Sequence, residues 1–322
     1  MYRNTRIGDN LDILLQLEKA LDDAFPMKIL GDATHYLGTT ITRDRAARTI
    51  SISQPSYIED LIQLCHLADA KPVPTAMNPG VRLGRHQCPS TDEEKRDMES
   101  VPFREALGLL LWIANGTRSD LQFLANLLSQ FAHNPGRAHW EALKYGVRYL
   151  VGTRNRVLVF GGTNDGLRGY CDASFGTEAL DWRSMSGYAF TLFGGAISWR
   201  AKKQSVVALS TAEAEYIALS QATREVIWIR SFMGELFGQL NLPTPIHVDN
   251  KSAIDMAKSN KFHDRTKHIA LPYHHVRSAV ADRNYFFALP LIDTHSNIAD
   301  IFTKALEKVK VARFSQQLGL SA

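Results

Sequence analysis

The sequence predicts an α/β protein, a mixed β-sheet with flanking helices preceded by a helical unit. Three observations carry this. From about residue 157 onward, strand-like segments come in the order three strands, a helix, then strands alternating with helices. That order sets an antiparallel meander beside parallel strands joined by helical crossovers. Upstream, about residues 101–153 read as amphipathic helices rich in Leu, Ala and aromatics. At the turning point, STAEAEYIALSQAT (residues 210–223) opens a helix with two carboxylates in its first turn and a half.

Taken in order, a first helix is expected over about residues 11–25, with Leu11, Leu14, Leu15, Ala20 and Leu21 at helical spacing. Asp22 and Asp23 lie in it, but adjacent helical residues do not share a face, so they read as solvated surface. Residues 36–42 and 49–53 form the arms of a hairpin around a polar turn, and a helix begins at about Pro55. Residues 70–100, with Pro72, Pro74, Pro79 and Pro89, suggest an extended linker. Two helices follow, VPFREALGLLLWIANGTRSDLQFLANLLSQFAH and GRAHWEALKYGVRYLVGT. VLVFGG then leads into LRGYCDASF, a strand ending at Asp172, and SMSGYAFTLF and GAISWR flank a hairpin turn at Gly194–Gly195. The helix from Ser210 runs to roughly Leu236, and the strand PIHVDN closes on Asp249. KSAIDMAKS and LPYHHVRSAVAD read as helices, NYFFALPLI as a strand, and SNIADIFTKAL as the start of a last helix carrying Asp300.

Composition narrows the class. The chain has 322 residues, 45% hydrophobic and 22% charged, with a formal net charge of +4. That is an ordinary globular mix, mildly basic, which permits an acidic partner without demanding one. Cys65, Cys88 and Cys171 are scattered without CxxC spacing, which fits a reduced intracellular protein better than a disulfide framework or a zinc site. No signal peptide or membrane-spanning run is apparent, so a soluble intracellular protein is expected.

The two carboxylates of the central helix need different explanations. Ser210 followed by Glu213 fits a capping box. From Glu215, helical steps reach Leu219, Ala222, Val226 and Ile229, a continuous apolar stripe. From Glu213 they reach Ile217, Ser220, Arg224 and Ile227, a mixed face. Glu215 therefore points at the sheet, where a carboxylate is costly unless it is paired or binds a metal. Asp172 and Asp249 lie at strand ends, where sites form in open α/β sheets, and Asp300 enters from the last helix. Four converging carboxylates would repel, so divalent cations are expected to neutralise them. Oxygen-only ligands favour Mg²⁺ or Mn²⁺, and two such ions roughly 4 Å apart support phosphodiester cleavage.

The strings YCDAS, SGYAFTLFGGAISWRAKKQSVVALSTAEAEY, HVDNKSAI, KFHDRTKHI and ADIFTKAL resemble, in order, the ribonuclease H domain of copia-like retrotransposon polyproteins. The resemblance implies a ribonuclease H-like five-stranded mixed sheet. MKILGDATHYLGTTI resembles the end of a reverse-transcriptase palm with its primer-gripping hairpin, and the segment through NPGRAHWEALKYGVRYLVGT resembles the thumb and connection. It divides the chain into a palm end with the hairpin (residues 1–69), a linker with thumb and connection (70–160), and the ribonuclease H-like part (161–322). The implied activity is cleavage of the RNA strand of an RNA–DNA hybrid with two Mg²⁺ (or Mn²⁺) ions. The family's metal-binding catalytic acids fall on Asp172, Glu215, Asp249 and Asp300. The cytoplasm, in a virus-like particle, or the nucleus is the implied location.

Hybrid contacts are expected at phosphates and 2′-hydroxyls. Candidates are Ser174 and Asn250, each with a turn or cap role as the alternative, and the basic residues Arg200, Lys202 and Lys203. The run from Lys258 to His268 adds Lys261, Arg265, Lys267 and His268 as a backbone grip, a solvated connection being its alternative. Trp182, Trp199 and Trp228 read as packing residues. Two departures stand out. Many ribonucleases H place a mobile His about ten residues before the last Asp, whereas His295 lies five before Asp300, so a loop histidine is the plainer reading. No Tyr-x-Asp-Asp polymerase motif occurs, so no DNA synthesis is expected, and the fingers and palm of the reverse transcriptase are missing partners. Three readings remain: an active ribonuclease H, a non-catalytic nucleic-acid-binding remnant of a degenerate retroelement, and a different nuclease of the same broad fold.

Overall fold

The computed structural model describes residues 2–6, 11–25, 27–176, 181–238, 240, 242–259, 270–281 and 287–321. The first half runs β1 (Tyr2–Arg6), α1 (Leu11–Ala24), β2 (Met27–Asp32), β3 (His35–Tyr36), β4 (Thr39–Asp44), β5 (Thr49–Ser53) and α2 (Pro55–Leu64). Helices α3 (Asp92–Glu99), α4 (Phe103–Gly116), α5 (Gln122–Ser129) and α6 (Arg137–Thr153) follow. The second half holds β6 (Val157–Gly161), β7 (Arg168–Ser174), β8 (Met185–Leu192), β9 (Gly195–Lys203) and α7 (Thr211–Phe237). It continues with β10 (Thr244–His247), α8 (Lys251–Lys258), α9 (Ala270–Ala281), β11 (Phe287–Ala288), a 3-10 helix (Ile298–Phe302), α10 (Lys308–Gln317) and β12 (Leu320–Ser321).

The mixed sheet expected from the element order is present, with strand order β11-β10-β7-β8-β9. β7, β8 and β9 form the antiparallel meander, while β10 and β11 join it in parallel. This is the five-stranded mixed arrangement that the resemblance implied. β8 is buried along most of its length because both faces of the sheet are covered. On one face the stripe Leu219, Ala222, Val226 and Ile229 of α7 packs with Cys171, Tyr188 and Phe190. On the other, Met185, Ala189 and Ala201 join a core shared with Phe302, Phe314 and the helices α4 to α6. A second five-stranded sheet, β12-β6-β5-β4-β3, is antiparallel throughout, with β6 pairing the last strand on one side and the upstream hairpin on the other.

Several local expectations change. Residues 70–100 are not a loose linker. Ala76, Met77 and Leu83 are buried in the helical core, and α3 is started by a capping box of Thr91 and Glu94. Prolines there remove regular hydrogen bonding without preventing burial. The first long helix is two, broken at residues 117–121, where Arg118 and Asp120 turn inward as a fully buried pair. β7 runs past Asp172 to Ser174. The β8–β9 turn is Phe193–Gly194, both at positive φ (50° and 81°), one residue earlier than expected. Asp300 sits on the short 3-10 helix, and the last α-helix begins only at Lys308. No helix among the described residues is long and apolar enough to cross a membrane.

Candidate metal centre

Strand register builds the first half of the site. β10 runs parallel to β7 with His247 opposite Tyr170, and their rings stack at 4.8 Å. Asp249 and Asp172 each lie two residues further on, so they emerge side by side at the carboxyl ends of adjacent strands. The 3-10 helix brings in Asp300 on the face of β7 away from α7. It can lie flat there because residue 187 of β8 is glycine: a Cβ at that position would sit 2.6 Å from Cβ of Phe302.

Donor oxygens of Asp172, Asp249 and Asp300 all lie within 4.8 Å of one another. Glu215 stands beside this trio rather than within it. It is 7% exposed, takes the backbone N–H of Ala173, and its Oε2 has no hydrogen-bond partner. Burial first, then the charges of Asp172 and Asp249, push the Glu215 acid up to about 9. Burial likewise raises Asp172 to about 6, against the opposing pull of Lys304. Asp249 also rises through burial, opposed by a hydrogen bond from Thr294. Asp300 is fully buried, and its carboxylate is met by two lysines. Lys304 Nζ is 2.7 Å from its Oδ1 and 3.6 Å from Asp172 Oδ2, and Lys310 Nζ is 3.5 Å from its Oδ2. An all-oxygen, charge-dense set, with Glu215 Oε2 buried and unpartnered beside it, fits a hard divalent cation, and the two ammonium groups balance only part of its charge.

Glu213 has the separate role expected of it. Ser210 Oγ accepts the N–H of Glu213 at 3.3 Å, while the Glu213 carboxylate takes the N–H of Leu209, one residue earlier than a standard box, at 2.5 Å.

The other candidates divide. Ser174 shares the Asp172 face at the end of β7. Asn250 caps α8 by accepting the N–H of Ala253 at 3.1 Å, the alternative weighed for it. Arg200 and Lys202 are exposed but lie in the rows of Cys171 and Ala173, the opposite face from Asp172. Strand alternation thus takes them away from the acids. Lys203 sits in the Ser174 row, 3.4 Å from Asp181. Lys261, Arg265, Lys267 and His268 lie outside the described residues. His295 is an exposed residue of a one-turn 3-10 helix, its carbonyl accepting from Arg313. Trp199 does pack, its indole N–H donating to the Ala114 carbonyl at 2.9 Å. Trp182 is 59% exposed, and Trp228, 58% exposed, stacks on Phe232 with ring centroids 5.5 Å apart.

Sequence reasoning missed Asn297, Thr303, Lys304 and Lys310. Lys304 had a signal, a cation four residues after Asp300. Lys310 had none, because its approach depends on how α10 packs.

No family model matches the chain. It is 39% identical over 314 residues to the retrovirus-related Pol polyprotein from transposon TNT 1-94 of Nicotiana tabacum, covering 98% of this chain and 23% of that protein. To the polyprotein from transposon RE2 of Arabidopsis thaliana it is 34% identical over 314 residues, covering 97% of this chain and 21% of that one. The chain thus spans between a fifth and a quarter of the length of these relatives. Among solved structures, the N-terminal RNase H domain of a Mycobacterium tuberculosis protein aligns at 11% identity and a TM-score of 0.31, covering 47% of this chain and 98% of that domain. The agreement in sequence runs through the helical unit as well as the mixed sheet, and the chain belongs to the Pol polyproteins of copia-type retrotransposons.

Proposed function

We propose that this chain is a divalent-metal-dependent endonuclease of ribonuclease H type, cleaving the RNA strand of RNA–DNA hybrids. The observation that carries the reading is the convergence of Asp172, Asp249 and Asp300, from three separate elements, to donor distances within 4.8 Å, with buried Glu215 alongside. Asp172, Asp249, Asp300 and Glu215 would hold divalent cations, two Mg²⁺ or Mn²⁺ ions, which would supply activation of the attacking water and charge stabilisation at the departing oxygen. Burial, then the charges of Asp172 and Asp249, hold the Glu215 acid in its protonated form, and a cation held beside it would favour the carboxylate. Ser174, on the same face, is in position for a sugar or phosphate contact. In the full-length polyproteins the hybrid would be delivered by the rest of the reverse transcriptase.

The test is a fluorescent RNA–DNA hybrid assay with Mg²⁺, run beside Asp249→Asn. The wild type should cut the RNA strand leaving a 3′-hydroxyl, and the variant should not. A well-folded wild type that cleaves nothing would leave only a nucleic-acid-binding remnant, and cleavage of duplex DNA would point to another nuclease of this fold.

A further inference from the structure

Two side chains flanking Asp300 have no part in the chemistry proposed above, yet both reach the strand that carries Asp172. Asn297 is fully buried. Its Oδ1 accepts the N–H of Ala299 at 3.1 Å, which caps the 3-10 helix, and its Nδ2–H donates to the Cys171 carbonyl at 2.8 Å. A cap needs only the acceptor. The donor half is spent on the backbone next to Asp172, while the acceptor half holds the backbone next to Asp300. From the other side of Asp300, the Thr303 hydroxyl donates to Asp172 Oδ2.

We infer that Asn297 and Thr303 are positioning residues that clamp the Asp300 turn to β7, fixing Asp172 and Asp300 at metal-binding separation. The inference rests on the metal-dependent reading above. Its physical need is plain. Carboxylates this close repel, and a five-residue 3-10 helix has poor hydrogen bonding of its own. Without ties to β7, the turn would relax outward and the ligands would part.

Asn297→Ser retains a capping hydroxyl but is too short to reach Cys171. Thr303→Val removes the hydroxyl at constant shape, and Thr303→Ser restores it. Mn²⁺ binding to the full chain, measured by titration calorimetry, should weaken about tenfold to a hundredfold in Asn297→Ser and Thr303→Val. The Mg²⁺ needed for half-maximal cleavage should rise in parallel, with KM for the hybrid unchanged and Thr303→Ser close to wild type. Folded variants that bind Mn²⁺ like wild type, even with a lower Tm, would reduce both side chains to packing and overturn the inference alone. Wild type that binds no Mn²⁺ would overturn it together with the metal-dependent reading. Should Asn297→Ser fail to fold, the Thr303→Val and Thr303→Ser comparison decides.

Discussion

Replacing Glu215 with glutamine should stabilise the metal-stripped protein while abolishing its response to metal. The folded state holds the Glu215 acid at about 9 against an ordinary 4.5, chiefly through burial and then through Asp172 and Asp249. An acid raised on folding binds more protons folded than unfolded. Its contribution is therefore most favourable below about 4.5, and stability declines as pH climbs toward 9. Each pH unit in that window costs about 1.4 kcal/mol, so at pH 7 keeping this acid protonated costs at most about 3.5 kcal/mol. Glutamine avoids this cost. Its Oε1 can keep the N–H of Ala173, and its amide nitrogen would replace Oε2, the atom without a hydrogen-bond partner, and face the acids as a donor.

At roughly 2–4 °C per kcal/mol, Glu215→Gln in EDTA should melt several degrees above wild type at pH 7.5 and level with it near pH 4.5. Adding Mn²⁺ should reverse the order, because only wild type gains a ligand-bound folded state. Fluorescence melts from pH 4.5 to 9, with EDTA and with Mn²⁺, measure all of this. A variant that melts below wild type at pH 7.5 in EDTA would refute the reasoning. So would a difference that does not change with pH.

Other perturbations separate the roles of neighbouring residues. Glu213→Gln should keep most hybrid cleavage and lose under about 1 kcal/mol in a denaturant melt, since an amide oxygen can also accept the Leu209 N–H. Gly187→Ala places a methyl where Cβ of Phe302 would be 2.6 Å away; cleavage should fall more than tenfold and stability by about 1–3 kcal/mol. Asp120→Ala leaves the fully buried Arg118 guanidinium without its partner 2.8 Å away, and urea melts should show a loss of about 3–5 kcal/mol.

What the sequence made legible follows the range of each signal. The phase of the apolar stripe separated Glu215 from Glu213 because helical periodicity is local. Asp172 and Asp249 could be placed at strand ends for the same reason. The shape around Asp300 could not be seen this way. ADIFTKAL is compatible with an α-helix, whereas the short 3-10 helix sits on Gly187 and is tied by Asn297 to Cys171, both far away in sequence. The break between α4 and α5 did have a local signal, the polar run at residues 115–120 between two apolar stretches, which a single long helix passes over. The burial of Arg118 and Asp120 depends on Tyr149 and Thr153 of α6, which supply hydrogen bonds from inside. Prolines in residues 70–100 told correctly that regular structure was scarce, but burial is a property of the whole fold.

The helical unit is part of the site's architecture. The 3-10 helix presents Asp300 to the sheet on one side and buries Ile301 and Phe302 in the core shared with α4 to α6. Thr75, Asp120, Ile301 and Lys304 line one small cavity, so the buried ion pair of the helical unit lies close behind the lysine that faces the acids. The chain's end adds a second hold. Leu320 pairs with Leu158 of β6, and the Leu318 carbonyl accepts the N–H of Ala196 at 3.0 Å. These bonds anchor α10, whose Val311 and Phe314 pack in the shared core while its Lys310 lies 3.5 Å from Asp300. A carboxylate cluster that repels itself is thus held from both sides, by the strands that carry Asp172 and Asp249 and by a helical core that fixes Asp300 from behind. Repulsion among the acids therefore acts against a packed interior rather than against a loop.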